Sequence, residues 1–445
     1  MSRGRVPWLA ALVTLATAVL LFGFGYADDP ILGGDGPAYD RYAQNLIDNS
    51  AFSPADEPPY FPGVDRAPGY PGFLAFFHLL SDDPVVIRLA QLGLIFGTAI
   101  LLALLAAPLL GARTATVAAV LCATYIPLLE LANYHLTEVL ATFLVVGLML
   151  VATRAARPRA SWPAWCAVGA LAGILALVRP SMALLAPLVA IAVAFARPRS
   201  EGVRSRVLPG LAVIAAFGLV LVPWAIRNQS VSERFAPLGT LSNASLFFSL
   251  EQYRGGAGYA GTPAEQQELA DDGTRRRRAI LHSLAERDQA ATIARGTALQ
   301  LELSDSYAES NRELIEELSP FDVIADIPRR LQALWGTADF PPSRLESLVH
   351  RLAQAQWVVL ILLAAVGVWA GRARWIQLWP VWLVPAYLTL LHFVFQAEAR
   401  YTIPGRPFLL VFSAVGALVL WKLIAGRISP DDEITTPHAA ETPRA

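Results

Sequence analysis

Residues 84–110 read PVVIRLAQLGLIFGTAILLALLAAPLL. No ionisable side chain interrupts the run between Arg88 and Arg113. A helix needs about 20 consecutive apolar residues to cross the hydrocarbon of a bilayer, and this stretch has them. Its side chains do not alternate with period two, which excludes a strand of a membrane barrel. Backbone amides in lipid must be satisfied within their own segment, so the stretch is a helix.

Working outward, blocks of the same kind recur at 8–26, 114–131, 136–153, 162–178, 181–196, 207–225, 356–371, 375–395 and 407–425. They predict an all-α polytopic membrane protein with about ten transmembrane helices. The whole chain agrees: 55% of its 445 residues are hydrophobic and 16% charged, against roughly 25% charged in soluble domains. The bilayer is therefore one partner, and no nucleic acid is expected. The formal net charge of −1 carries no further information about partners.

Orientation follows from arginine. Arg3 and Arg5, Arg113, Arg154, Arg157, Arg159, Arg197, Arg199, Arg204, Arg206, Arg372, Arg374, Lys422 and Arg427 fall on one side of the spans. Positive charge is retained on the cytoplasmic side, so both termini are expected there. Residues 3–27 have a signal-peptide character around Gly25-Tyr26-Ala27, but are read as a retained first span. Lys422 is the sole lysine, a bias that, with abundant alanine, suggests a GC-rich bacterial gene and hence a bacterial plasma membrane. Cys122 and Cys166 both lie in apolar blocks, so no disulfide framework is expected outside.

The predicted organisation is an N-terminal membrane module over 1–225, an extracytoplasmic helical domain over 226–355, a C-terminal membrane module over 356–428 and a disordered tail over 429–445. Structureless loops as long as the outer regions are uncommon and are usually functional. In the first outer loop, 27–83, a Gly33-Gly34-Asp35-Gly36-Pro37 turn leads into a helix. Asp35 suits its N-cap and Pro37 its first turn. Ala38, Tyr42 and Leu46 share one face up to Asn49, with Asp40, Arg41, Gln44 and Asn45 elsewhere, as in a helix lying on the membrane surface. Residues Arg66 to Gly72 open a second apolar helix running to Leu80. In the later region, Ser319-Pro320-Phe321-Asp322 is a capping-box start. Pro328 implies a kink or restart, and Gly336 a stop. The basic run Arg275 to Arg278 reads as a solvated helix face.

Several short motifs then line up. Gly34-Asp35-Gly36-Pro37-Ala38-Tyr39 follows the first span, and Arg66-Ala67-Pro68-Gly69-Tyr70-Pro71 closes the first loop. Leu136-Thr137-Glu138 opens a span and Val178-Arg179-Pro180 marks an outer turn. Pro223-Trp224-Ala225-Ile226-Arg227-Asn228 leads to Phe235-Ala236-Pro237-Leu238, and Arg400-Tyr401 precedes Pro404. In this order over residues 1–410 they resemble the glycosyltransferase C superfamily, in particular bacterial family 39-like members related to protein mannosyltransferases and the lipid A aminoarabinose transferase. The resemblance implies a transferase that takes a sugar from a polyprenyl-phosphate donor to an extracytoplasmic glycan, lipid or protein.

The chemistry of the residues is compatible with that. A phosphate leaving group needs positive charge, and arginine can grip it in a bidentate way. Arg66, Arg179, Arg400 and Arg406 are the donor-phosphate candidates, with Arg88 and Arg227 also at outer ends; the alternative for each is snorkelling or capping. The acceptor hydroxyl needs a general base, and Asp35 stands where the family has its catalytic Asp; the alternative is an N-cap. The family often has a second acid next in sequence, where this chain has Gly36, which leaves Asp40 or Glu138 to supply the partner. Asp35, Glu138 and His135 are candidate ligands for a divalent cation, Mg²⁺ or Mn²⁺ on an oxygen-rich set and Zn²⁺ less so.

Three other functions fit ten spans. A transporter or flippase of lipid-linked sugars would show internal repeats and midplane polar residues; here no repeat is evident and the charges cluster at outer ends. A lipid-linked polysaccharide ligase or polymerase would have related architecture. A non-catalytic assembly partner would have kept the fold and lost the site.

Overall fold

The computed structural model describes residues 35–58, 60–157, 160–195, 202–255, 296–336 and 346–426. The expected first span, residues 27–34 of the first loop, the Arg275–Arg278 run and the tail lie outside the described residues. Every described element is helical. Two short helices stand in the first outer loop, α1 (Gly36–Asp48) and α2 (Gly69–His78). Membrane-range helices follow: α3 (Pro84–Leu110), α4 (Ala112–Ala123), α5 (Ile126–Leu131), α6 (Glu138–Ala155), α7 (Trp162–Val178), α8 (Leu185–Phe195) and α9 (Val203–Ser232). The outer helices are α10 (Ser242–Gly255), α11 (Gly296–Glu317) and α12 (Pro320–Trp335). The chain re-enters the bundle as α13 (Glu346–Gly371), α14 (Trp379–Leu391) and α15 (Arg406–Ile424). Five helical stretches are long and apolar enough to cross a membrane, and four shorter apolar ones accompany them. The chain is a multi-pass membrane protein.

Several expected spans change shape. The block 114–131 is broken between α4 and α5: Pro127, which lacks a donor, sits in the first turn of α5, where none is needed, and the N-cap Tyr125 is extended at ψ 102°. A break within lipid must be re-satisfied. Gln356 of α13 does so, accepting from Ile126 N at 3.0 Å and donating to the Thr124 carbonyl at 2.8 Å. The block 181–196 starts with a 3-10 turn at Pro180–Met182, and 375–395 shortens to α14. By contrast, α9 runs past its expected end to Ser232, and α13 starts well before residue 356.

Close helix contacts come from small residues. A β-carbon on Gly367 of α13 or Gly416 of α15 would collide with the facing backbone, at Phe412 O and Leu363 O respectively. Ser413 of α15 donates to the Leu360 carbonyl of α13 at 2.8 Å in the same seam.

The outer loop is folded onto protein. Tyr42, expected on a membrane-facing stripe of α1, is fully buried and stacks on Phe52. Asn45, expected on the polar face, is buried too, because its amide donates to the carbonyls of Ser53 and Ala55 at 2.9 and 2.8 Å. α2 ends at His78, with Leu79 as its C-cap. Helices α10 and α11 pair through Phe247, Leu250, Tyr307 and Leu314. α12 has the full Ser319/Asp322 capping box and runs through Pro328 without a restart, stopping before Gly336.

Candidate active site

Asp35 occupies the N-cap position of α1, yet its side chain caps nothing. Instead the carboxylate accepts from Arg66 Nη2 at 3.0 Å and Arg400 Nη1 at 3.4 Å. Its side chain is 40% exposed, against 12% for Arg66 and 27% for Arg400. Burial pushes the Asp35 carboxyl up, but the charges of Arg66 and then Arg400 outweigh it and hold the group below its ordinary value.

Distant parts of the chain set these positions. Arg66 follows an irregular stretch, 61–65, pinned from two sides. Gln300 of α11 accepts from Val64 N at 2.8 Å and donates to Asp65 at 2.9 Å, while Tyr42 also donates to Asp65. Arg227, at the outer end of α9, donates to the carbonyls of Gly63 and Phe52 and lies over the Trp224 ring. Arg66 itself stacks on Tyr39, its guanidinium carbon 4.5 Å from the ring centre. Arg400 stands on the 3-10 segment Ala399–Gly405 before α15, its Nε bonded to Glu398 at 2.7 Å and its Nη2 to Tyr401.

Across the cavity, Arg179 leaves the end of α7, donating to Thr137 Oγ1 at 2.7 Å and pairing with Glu138 Oε1 at 3.1 Å. Both charges of that pair are nearly enclosed, and Glu138 Oε2 has no hydrogen-bond partner among the described residues. The guanidiniums of Arg400 and Arg179 both lie over the Tyr401 ring, at 4.9 and 5.5 Å from its centre. Asp35, Tyr39, Asp65, Arg66, Glu138, Arg179, Arg400 and Tyr401 line one cavity of about 690 Å³. Its remaining wall is largely apolar, with Leu184, Phe235, Leu241, Leu391 and Phe395.

Three of the four expected phosphate arginines thus reach one chamber. Arg406 does not: it is fully buried, and it donates to Tyr125 at 2.6 Å and to the Gly336 and Ala399 carbonyls at 2.8 and 3.2 Å. Its place at the start of α15 makes it a strut between helices. Asp40 is also outside the cavity, its Oδ1 held by His78 Nε2 at 2.9 Å and His135 Nδ1 at 3.0 Å. The expected cation ligands therefore point to different partners: Asp35 to arginines, Glu138 to Arg179, and His135 to Asp40. They do not fit a divalent cation in this arrangement, and no group of three or more His, Cys, Asp or Glu among the described residues is placed to hold one. The sequence reading missed Asp65, Tyr39 and Tyr401 as wall residues. Tyr39 and Tyr401 were visible only as neighbours of Asp35 and Arg400, and Asp65 only as the neighbour of Arg66.

The archaeal oligosaccharyltransferase AglB from Archaeoglobus fulgidus, in complex with an inhibitory peptide and a dolichol-phosphate, superposes on 97% of this chain with a TM-score of 0.53. The identity is 13%, and 52% of the AglB chain is covered. The chain has the glycosyltransferase C fold. A second AglB structure, in complex with Zn and sulfate, gives a TM-score of 0.54 at 13% identity over 95% of this chain and 50% of its own. The chain spans about half the length of the solved structures it matches. The family model for dolichyl-phosphate-mannose-protein mannosyltransferase matches residues 65–226, from the cavity residue Asp65 to the outer part of α9. No curated protein matches the chain.

Proposed function

We propose that this chain is a membrane glycosyltransferase that moves a sugar from a polyprenyl-phosphate donor to an acceptor on the extracytoplasmic side of a bacterial plasma membrane. The observation that carries the reading is the Asp35 carboxylate held between Arg66 and Arg400 on the wall of a largely apolar chamber. A lipid-phosphate sugar needs all three features: cations for the phosphate, a carboxylate for the acceptor, and apolar wall for the first lipid units. That AglB was solved with a dolichol-phosphate is consistent with this ligand class on the same fold.

In the free protein Asp35 is paired with two guanidiniums, and a carboxylate so placed is a poor base. An incoming phosphate competes for the same donors. As Arg66 and Arg400 turn to it, with Arg179 opposite, Asp35 loses the charges that depress its proton affinity. It can then take the proton of an acceptor hydroxyl while that oxygen bonds to the anomeric carbon. The bond from that carbon to the phosphate oxygen breaks, and the polyprenyl phosphate leaves with its charge on the arginines. One displacement of this kind inverts the anomeric centre.

The test is Asp35→Asn in purified protein with a panel of polyprenyl-phosphate sugars. An amide cannot take the proton, so turnover should fall by about two to four decades, the usual contribution of a general base. Donor affinity should hold or rise, because two guanidiniums are released from their carboxylate. Wild-type turnover in the variant would reject Asp35 as the base.

A further inference from the structure

Helix α12 is inside out for an outer helix in water. On its protein side it buries charge: Asp326, Arg330 and Leu334 form the enclosed stripe. All five N–H donors of Arg330 have acceptors within reach. Nε pairs with Asp326 at 2.9 Å, Nη1 donates to the His392 and Phe395 carbonyls at 3.0 and 3.1 Å, and Nη2 donates to Ser249 O and Oγ at 2.8 and 3.0 Å. The adjoining arc carries Phe321, Ile324, Ile327 and Leu331, exposed by 80, 62, 36 and 38%, together with the exposed prolines Pro320 and Pro328. At 100° per residue these positions share one face of the helix.

The depth of the helix says what covers that face. The carbonyl of Trp335, the last residue of α12, accepts from Trp357 Nε1, and Trp335 Nε1 donates to Thr389 of α14 at 3.0 Å. From Trp357 to the inner-end residue Arg372 the helix climbs only ~22 Å at 1.5 Å per residue. The hydrocarbon is ~30 Å thick, so α12 ends at or below its outer boundary. Beside it, Leu390 and Val394 are 67 and 56% exposed at the outer end of α14, and they continue the apolar surface that the spans turn to lipid.

We propose that α12 is an interfacial helix whose Phe321, Ile324, Ile327 and Leu331 face is immersed in the outer leaflet, its partner being lipid acyl chains. Arg330 then ties this lipid-seated helix to the 392–395 turn, two residues of which, His392 and Phe395, line the candidate chamber. The inference needs no catalytic assignment and stands or falls separately from the proposed transfer.

The test uses the full chain with Cys166→Ser, since Cys122 is buried, and a single cysteine at Phe321, Ile324, Leu331 or the polar-side control Ala325. Each is labelled with an environment-sensitive fluorophore and reconstituted into phosphatidylcholine–phosphatidylglycerol vesicles. An interfacial helix seats its apolar face ~5–10 Å into the acyl boundary, so 5-doxyl lipid should remove about half or more of the signal at Phe321→Cys, Ile324→Cys and Leu331→Cys. Ala325→Cys should respond to aqueous iodide instead. Iodide quenching at all four positions would put the helix in water and overturn the proposal. Protection from both quenchers at 321, 324 and 331 would mean that another part of this chain or a second copy covers the face, and would overturn it equally.

Discussion

Asp40 shows what a single side chain can be asked to do once its partners are known. Burial raises its proton affinity, but hydrogen bonds from His135 and then His78 outweigh this and hold the carboxyl well below its ordinary value. For His78 the hydrogen bond to Asp40 is the larger influence, and it lifts the ring above its ordinary 6.5 against the effect of burial. The raised His78 contributes stability that is full below pH 6.5 and lost as pH rises through its folded-state value. The depressed Asp40 contributes stability that is present above 3.8 and lost in acid. Raising the pH from 6 to 9 in detergent should therefore lower the melting temperature through His78. His78→Gln, which can still donate to Asp40 but does not titrate, should remove that part of the slope; an unchanged slope would show that the pair does not couple to folding. Asp35 is the contrasting residue. The Gly-Gly-Asp-Gly-Pro turn made it legible as a helix start, whereas its bond to Arg400, 365 positions away, was beyond any local pattern.

At the scale of the element, hydrophobic blocks located the helices better than they located the breaks. Residues 84–110 and 162–178 were readable to the residue, because an unbroken apolar run leaves lipid-embedded backbone one way to bond itself. The division at Tyr125 was not, since it depends on Gln356 completing the opened backbone from another helix. The α13–α15 seam gives the sharpest packing test. Gly416→Val places branched carbon against the Leu363 carbonyl, where even a β-carbon has no room. Overpacking of a tight contact costs about 1–3 kcal/mol, so the variant should melt several degrees lower while keeping its helix content by circular dichroism. A wild-type melting curve would mean that the two helices can separate at no cost.

For the whole molecule the decisive property is sidedness. The candidate chamber, the first loop and helices α10 to α12 all stand at the end of the bundle away from Arg113, Arg372, Arg374 and Lys422. On the positive-inside rule we propose that this end is extracytoplasmic. Glu57 in the first loop and Glu309 in α11 are exposed and serve as reporters. In a Cys166→Ser background, Glu57→Cys and Glu309→Cys should react with an impermeant maleimide in intact spheroplasts, and Gly202→Cys only after lysis. The reverse pattern would invert the orientation and move the proposed chemistry to the cytoplasm.

By itself the sequence determined that the chain is helical and crosses the membrane repeatedly. It also placed Asp35, Arg66, Arg179 and Arg400 at the ends of spans or in the loops between them, because hydropathy and charge act through neighbours along the chain. Which of those charges share a chamber was settled by tertiary structure. Arg66 and Arg400 converge on Asp35, while Arg406 is consumed as a strut and Asp40 is sequestered by two histidines. Each outcome depends on the relative rotation of helices far apart in sequence. That rotation is set by which small residues let backbones touch and which buried donors find a carbonyl, neither of which a hydrophobic period encodes.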